Sequence, residues 1–239
     1  MRGQSNVVGV VLLLGVTVLA LGTLTASIGT MVQSNAATAD ATQVAADFDA
    51  ALDPVTVTGV HRGRVAFTDG QVRTVDRELR VLNESMTVEI VHVDALVFTT
   101  RHKRVAFLAG AIVRGRGANA RMRTRPPITA SRSGRDGVLV VGAPELGAAR
   151  VGASTTGDSI TLRSNVTHER TTLGNGTYRV AVETSTPAAW KEFFASQNAT
   201  VEANRDFDGD GVESVVARYP GRRAAYLVVH DLHLEVANG

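Results

Sequence analysis

The sequence predicts an α+β protein, in which a long N-terminal α-helix precedes a mainly antiparallel β head domain with one short helix. The helix is indicated by the absence of charged side chains between Gly3 and Ala39, and by apolar residues that continue at helical spacing to Leu52. The head is indicated by a change of period beyond Pro54, where short β-branched segments follow one another with no long helical pattern between them. We therefore expect an N-terminal helix over residues 4–53 and a β-rich domain over residues 54–239.

The apolar run at residues 7–32 is long enough to cross a membrane. As a helix it would measure about 39 Å, against a hydrocarbon core of about 30 Å. Three interpretations are open: a cleaved secretory signal, an uncleaved anchor and a prepilin-type signal. A secretory signal has a shorter apolar core of about 7–15 residues and a small-residue cleavage site, which residues 37–39 would supply. An uncleaved anchor needs only the run itself.

The residues at the start of the run resemble the prepilin-type signal of archaeal type IV pilins. Arg2, Gly3 and Gln4 abut the apolar run, and residues 4–15 are similar to the start of pilin-like proteins from haloarchaea. This resemblance, which is limited to the first 35 residues, implies that a leader, residues 1–3, is cut off between Gly3 and Gln4. The apolar helix would stay on the mature chain. Val8 departs from the bacterial pattern, in which a glutamate at this position registers the subunit in the filament.

The resemblance implies a type IV pilin-like, membrane-anchored surface protein with a structural or adhesive role, which could be a filament subunit. With Arg2 on the cytoplasmic side and one membrane span, the C-terminal domain would lie outside the cell. The alternative is an anchored extracellular binding module or a secretion-type pseudopilin that does not polymerise. We expect no enzyme, because the sequence has no nucleophile elbow, no phosphate-binding glycine loop and no histidine pair at helical metal-binding spacing.

Small residues form a stripe along the apolar run. Gly15, Gly22 and Gly29 are spaced seven apart, and Ala26 lies on nearly the same face. Small residues let helix backbones approach closely in lipid, so the stripe predicts packing against the helices of other pilin-like subunits. The alternative is that glycine is simply tolerated in membrane helices.

The remainder of the helix is amphipathic. Val44, Phe48 and Leu52 are four apart and share one face, which is expected to pack on the head. Three aspartates lie away from this face: Asp40, Asp47 and Asp49. Pro54 disfavours helix at the residue before it, so the helix should end there.

The segments beyond Pro54 predict strands that stack as a sandwich or a similar arrangement. The predicted strands are 55–58, 65–67, 72–75, 86–91, 95–98, 104–108, 138–141, 159–162, 178–182, 212–218 and 224–236. Asp69-Gly70 is expected to join two of them as a hairpin. Thr186, as N-cap, and Pro187 open the one short helix, in which Trp190 is expected to be a core residue.

The segment 95–135 is strongly basic. It has no carboxylate and ten of the 25 basic residues, so the rest of the chain carries 15 basic against 23 acidic side chains. Such a field attracts an anionic surface partner, for example an acidic glycoprotein, lipid headgroups or nucleic acid. Nucleic acid is the least favoured, because no aromatic residue between Val113 and Gly137 could stack on bases. The alternative is a solvated loop over residues 115–137 whose charges serve solubility.

N-glycosylation sequons are present in the head. They begin at Asn83, Asn165, Asn175 and Asn198, and Asn175-Gly176 has the chemistry of an exposed turn. This number of sequons in one domain is consistent with a glycosylated surface protein. The chain has no cysteine, so an exported head must rely on its hydrophobic core rather than on disulfides.

An acidic segment at residues 206–213 resembles the first half of a calcium loop. Asp206, Asp208 and Asp210 alternate and are followed by Gly211, so that three carboxylates can surround one hard cation. Glu213 is the candidate fourth carboxylate, and calcium is the candidate cofactor.

The calcium motif is incomplete, because Ala217 stands at the twelfth position, where such a loop has a bidentate glutamate. The alternative is an acidic turn between strands. In that case Arg205 and Arg218 would partly offset the repulsion among the carboxylates.

Overall fold

The computed structural model describes residues 4–84, 86–131, 137–147, 152–153 and 158–238. Its first element is one continuous helix, α1 (Gln4–Leu52), of 49 residues. The helix continues for this length because the sequence has no proline before Pro54 and no glycine between Gly29 and the helix end. It ends in a 3₁₀ turn over Asp53–Thr56, as the proline predicts.

A β-rich head follows α1, and the α+β prediction is confirmed. The second helix, α2, spans Pro187–Ser196, and a further 3₁₀ turn spans Gly117–Asn119. The described strands are β1 (Gly59–Phe67), β2 (Gln71–Val75), β3 (Glu78–Asn83), β4 (Met86–His92), β5 (Ala95–Thr99), β6 (Arg104–Leu108), β7 (Ala111–Arg114), β8 (Arg121–Thr124), β9 (Ile128–Ala130), β10 (Gly137–Glu145), β11 (Gly152–Ala153), β12 (Asp158–Gly176), β13 (Tyr178–Glu183), β14 (Thr200–Val201), β15 (Ser214–Arg218), β16 (Arg223–Asp231) and β17 (Glu235–Asn238).

The described strands form three sheets. The first has the order β1-β12-β16-β10-β9, with β17 also paired to β12. The second has the order β11-β2-β5-β6-β7-β8, and the third β14-β15-β13-β3-β4. Pairing within the described ranges is antiparallel except between β10 and β16, which are parallel.

The second half of α1 packs into the head through a cluster that we call the helix core. Val44 and Phe48 are completely buried, and Leu52 is nearly so, which confirms the stripe predicted from their spacing. The cluster joins them to residues of the first sheet, such as Ile160, and of the second, such as Phe107. Apolar burial on this scale is what holds the helix to the head.

A close approach of backbone to helix fixes the position of α1 against β1. A Cβ atom added at Gly63 would lie 2.2 Å from the Cβ atom of Ala51, a distance that no side chain tolerates. Only glycine therefore allows β1 to pass this close to the helix.

The other main cluster lies under α2. Trp190, Phe193 and Phe194 are buried there and pack with Leu79 of the third sheet and Val97 of the second. Trp190 is a core residue, as predicted.

Two details of the predicted strands are wrong near the start of the head. Residues 55–58 do not form a strand, because the chain continues into the 3₁₀ turn and buries Val55 in the helix core. Asp69-Gly70 does not join a hairpin, since β1 pairs with β12 while β2 pairs with β5 and β11. The Asp69 backbone N–H instead donates a hydrogen bond to Asp40 of α1.

Other strands were missed or divided differently. The sequence did not predict β3, because Arg80 in its centre is a charged residue; Arg80 is buried there beside Glu78, with which it forms an ion pair. Strands β7, β8 and β9 were also missed, so the expected loop over residues 115–137 contains two strands. The predicted strand 224–236 is interrupted after Asp231, where His233 has a φ of 42°.

Candidate functional site

The first half of α1 is an apolar surface without a partner in the described chain. Its large apolar side chains between Val10 and Val32 are 53% to 73% exposed. Among the described elements, α1 is the helix that is long and apolar enough to cross a membrane. An exposed apolar surface of this extent is typical of segments that contact lipid or other helices.

The glycine stripe lies open on this half. A Cβ atom added at Gly15, Gly22 or Gly29 would meet no atom within 4 Å outside the helix's own backbone, and Ala26 is exposed. The stripe is therefore free to contact a second helix, and its packing role stays a prediction. Of the predicted processing pair, Gln4 is the first residue of α1, whereas Gly3 lies outside the described residues.

Aspartates attach the second half of α1 to the head, a role that the sequence did not reveal. Asp40 is 8% exposed and accepts hydrogen bonds from the backbone N–H groups of Thr68 and Asp69 and from the Thr68 hydroxyl. Asp47 accepts a hydrogen bond from the Ala66 N–H, and Asp49 accepts one from the Thr124 hydroxyl. These carboxylates bond to head elements on the sides of α1 that its apolar stripe leaves free.

The acidic segment folds into a loop between β14 and β15 that brings three predicted ligands together. Carboxylate oxygens of Asp206, Asp208 and Asp210 lie within 4.8 Å of one another. Asp206 accepts hydrogen bonds from the N–H groups of Gly209 at 2.7 Å and Gly211 at 3.1 Å. The bond from Gly209 is the largest factor that lowers the pKa of Asp206, which keeps this carboxylate ionised.

Glu213, the fourth predicted ligand, stands apart from these three carboxylates. Its Oε2 accepts a hydrogen bond from the Asn204 side-chain amide at 2.9 Å. Two other glutamates approach Asp208 instead: oxygens of Glu78, Glu183 and Asp208 lie within 4.8 Å of one another. Glu78 and Glu183 lie on β3 and β13, more than 20 residues from the loop, so spacing along the chain could not reveal them.

Glu183 is a buried carboxylate that is repelled by the neighbouring aspartates of the loop. Burial raises its pKa, and the charges of Asp210 and Asp208 raise it further, although Arg77, 2.9 Å from its Oε1, opposes the rise. Arg80 lies 3.9 Å from Asp208. A divalent cation near Asp208 would relieve the same repulsion.

Arg205 and Arg218, which were expected to offset the loop charge, contact Phe207 and Glu202 instead. The guanidinium of Arg205 stacks on the Phe207 ring, with 4.8 Å to the centroid, and Arg80 stacks on the same ring at 5.0 Å. Arg218 pairs with Glu202. The loop is therefore held to the third sheet through Phe207, while its carboxylates stay exposed or half-buried.

Three of the four sequon asparagines are exposed, namely Asn165, Asn175 and Asn198. Asn83 is half-buried and lies against Gly176, where an added Cβ atom would be 3.0 Å from the Asn83 Oδ1. Residue 85, the last of that sequon, lies outside the described residues. Access to a glycosylating enzyme is thus better at Asn165, Asn175 and Asn198 than at Asn83.

The basic segment spans β5 to β9 and continues beyond Ser131 into residues outside the described ranges, where Arg132 and Arg135 are located. One of its side chains contacts α1, and another bonds within the head. Arg114 donates a hydrogen bond to the Thr42 hydroxyl at 2.8 Å, and Arg116 donates one to the Thr100 carbonyl.

Comparison with known proteins places the chain in a family without assigning it an activity. A family model described as a family of unknown function (DUF7289) matches residues 2–235. No curated protein and no solved structure matches the chain.

Proposed function

The chain belongs to the family of unknown function DUF7289, and we propose that it is a type IV pilin-like surface protein that the first half of α1 anchors in the membrane. Its role would be structural or adhesive, without enzymatic activity. The head would lie outside the cell, because the only charged residue before the apolar run is Arg2 and basic flanks stay in the cytoplasm.

The division of α1 into two halves is the observation that carries this proposal. The first half exposes apolar side chains on every face, and the second half is built into the head. A helix that starts in lipid and ends as the central support of a globular domain is the arrangement that the N-terminal resemblance implies. A plain anchor needs no such continuation of the helix into the core.

Assembly into a filament would use the exposed half of α1. When such helices pack together, the glycine stripe would allow close contact between backbones. The alternative protein class, an anchored binding module or pseudopilin that does not polymerise, would keep the same half in the lipid.

Processing and assembly can be measured on the same cells. We expect mass spectrometry of the mature chain to give Gln4 as the N-terminal residue, and Gly3→Val to block the cut. We also expect the chain in sheared surface appendages. A mature chain that begins at Met1 or near Asp40 would reject the pilin-like proposal, whereas a chain processed at Gln4 but absent from appendages would favour the non-polymerising alternative.

A pair of variants tests the stripe itself. Gly22→Leu places a bulky side chain on the stripe, so it should reduce the amount of chain in appendages while membrane insertion continues. Val10→Leu, at a position that is 67% exposed and off the stripe, is the control and should assemble normally. Equal assembly of both variants would contradict the packing role.

A further inference from the structure

The base of the head, where α1 enters it, is formed by the β1–β2 connection, which joins the first sheet to the second, and by the β5–β6 connection of the second sheet. The connection after β1 contacts Asp40 through Thr68 and Asp69. The β5–β6 connection, which includes Arg101 and His102, lines a cavity together with residues 33–40 of α1. The end of the head that faces the apolar half of the helix is thereby defined.

A second cavity at this base, of about 390 Å³, is lined by Ala41 of α1 and by cationic side chains. We call it the basic cleft; its cations are Lys103, Arg104, Arg114, Arg121 and Arg123. No carboxylate of the described residues lines it. Within the described part of the chain, none of these cations forms an ion pair.

Arg104 is the least satisfied cation in the cleft. Its Nη1 is buried and has no hydrogen-bond partner in the part of the chain that the structure describes. Burial, together with the nearby charges of Arg77, Arg116 and Arg73, lowers its pKa to about 10. A guanidinium N–H without an acceptor is costly, and an anionic oxygen in the cleft would remove that cost.

The height of the cleft above the membrane follows from the continuity of α1. Ala41 is nine residues beyond Val32, or about 14 Å along the helix. Headgroups extend about 5–8 Å beyond the hydrocarbon core, and the Debye length at physiological salt is about 8 Å. Long arginine and lysine side chains extend further toward the headgroups. The cleft therefore lies within electrostatic reach of the lipid surface.

We propose that the basic cleft binds the phosphate groups of anionic lipids in the leaflet from which α1 emerges. The proposal rests on the proposed anchoring through α1. The cleft is at the base of the head, beside the helix, which favours lipid over an acidic protein approaching from outside. Binding there would hold the head upright on the membrane before or instead of assembly.

Lipid recruitment can be measured with one label, because the full chain has no cysteine. The Ala118→Cys variant, at an exposed position next to Asn119 of the cleft, carries a fluorescence donor. The full chain is reconstituted in phosphatidylcholine nanodiscs that contain a trace of acyl-chain-labelled phosphatidylglycerol or, in a parallel sample, acyl-chain-labelled phosphatidylcholine as acceptor. We expect energy transfer to show about fivefold or greater enrichment of the anionic acceptor at 50 mM salt, and little at 500 mM.

Matched variants locate the effect. Lys103→Gln combined with Arg121→Gln and Arg123→Gln should remove the enrichment. Arg62→Gln combined with Arg64→Gln and Arg222→Gln removes the same charge from exposed positions outside the cleft and should leave the enrichment unchanged. Circular dichroism of both triple variants verifies that the head is folded.

Several results would overturn the proposal. Equal energy transfer to both acceptors with the unmodified cleft would favour an acidic protein partner. Equal loss in both triple variants would indicate a general effect of net charge. Loss of enrichment on addition of 10 mM inorganic phosphate at constant ionic strength would indicate a site for free phosphate.

A separate experiment tests whether α1 anchors the chain in the membrane. Carbonate washing followed by flotation shows whether the chain is embedded in the bilayer, which tests the proposed function. If the wash releases the chain, the full chain is added to preformed vesicles with and without phosphatidylglycerol. Co-flotation that depends on phosphatidylglycerol and on the cleft cations would still support the cleft, and its absence would overturn it.

Discussion

The two halves of α1 belong to one uninterrupted helix but have opposite surroundings. In the first half, Leu19 is 71% exposed, and apolar residues cover every face. In the second half, Phe48 is completely buried, and the faces not covered by apolar contacts bear aspartates that bond to the head. Both halves have the same helical backbone, so the difference teaches that side-chain chemistry, rather than backbone structure, decides which half packs into the head and which stays exposed.

Phe48→Ala should have the largest effect on the stability of the head. Truncation of a buried phenylalanine leaves a cavity in the helix core and should lower the free energy of unfolding by about 3–5 kcal/mol. Leu19→Ala is the control in the exposed half and should leave the free energy of unfolding of the head unchanged. Denaturant unfolding of the full chain in a membrane mimetic, monitored by Trp190 fluorescence, measures both. Similar values for the two variants would erase the distinction between the halves.

Asp40→Ala tests the polar attachment of the helix. It removes a buried carboxylate that accepts three hydrogen bonds, so we expect a loss of about 2 kcal/mol. Asp40→Asn keeps one acceptor oxygen and should cost less. Thr38→Ala, at an exposed position two residues earlier, is the control for helix propensity. A loss no larger in Asp40→Ala than in Thr38→Ala would show that the carboxylate does not dock the helix.

Calcium should stabilise the head without affecting the apolar half. Binding to the loop of Asp206, Asp208 and Asp210 in the folded state alone would add about 1.4 kcal/mol at ten times the Kd. The melting temperature of the head should therefore rise with calcium at fixed ionic strength. Asp208→Asn combined with Asp210→Asn should abolish the rise. Equal melting temperatures with calcium and with chelator would mean that the loop is only an acidic turn.

Acid should destabilise the head but leave the apolar half of α1 helical. Burial, with a smaller contribution from the neighbouring His168, lowers the pKa of His230 to about 4. Between about pH 6.5 and pH 4 the unfolded chain binds a proton that the folded chain does not. The contribution of neutral His230 to the free energy of unfolding is therefore complete above pH 6.5 and is lost as the pH falls. After allowance for solvent screening it amounts to about 1 kcal/mol.

Far-ultraviolet circular dichroism measures helix content, and Trp190 fluorescence measures unfolding of the head, both between pH 4 and pH 7. The apolar half should stay helical, because no titratable side chain lies between Gly3 and Ala39. His230→Gln should reduce the pH dependence of head stability over this interval. An unchanged dependence would assign the acid sensitivity to other groups.

The sequence was sufficient for features that depend on local periodicity. The buried stripe of Val44, Phe48 and Leu52 and the core position of Trp190 follow from helical spacing and apolar chemistry. The cluster of Asp206, Asp208 and Asp210 follows from their alternation. Each of these groups lies within one element or one loop, so that spacing along the chain determines spacing in space.

Features that depend on distant pairing could not be predicted. Val65 of β1 pairs with Ile160 of β12, and the local pattern that identifies a strand contains no information on its partner. The expected hairpin at Asp69-Gly70 was wrong for this reason. The burial of Arg80 and Asp40 was not predicted, because a charged residue looks exposed until its partner is known.

Labelling of single cysteines on intact cells tests the division of α1 most directly. The Ala203→Cys variant places a thiol at an exposed position on the head, and Leu19→Cys places one in the apolar half. With a membrane-impermeant maleimide, we predict rapid labelling of the Ala203→Cys variant and no labelling of the Leu19→Cys variant. Equal labelling of both, or protection of the Ala203→Cys variant until the cells are lysed, would contradict a membrane half joined to an external head.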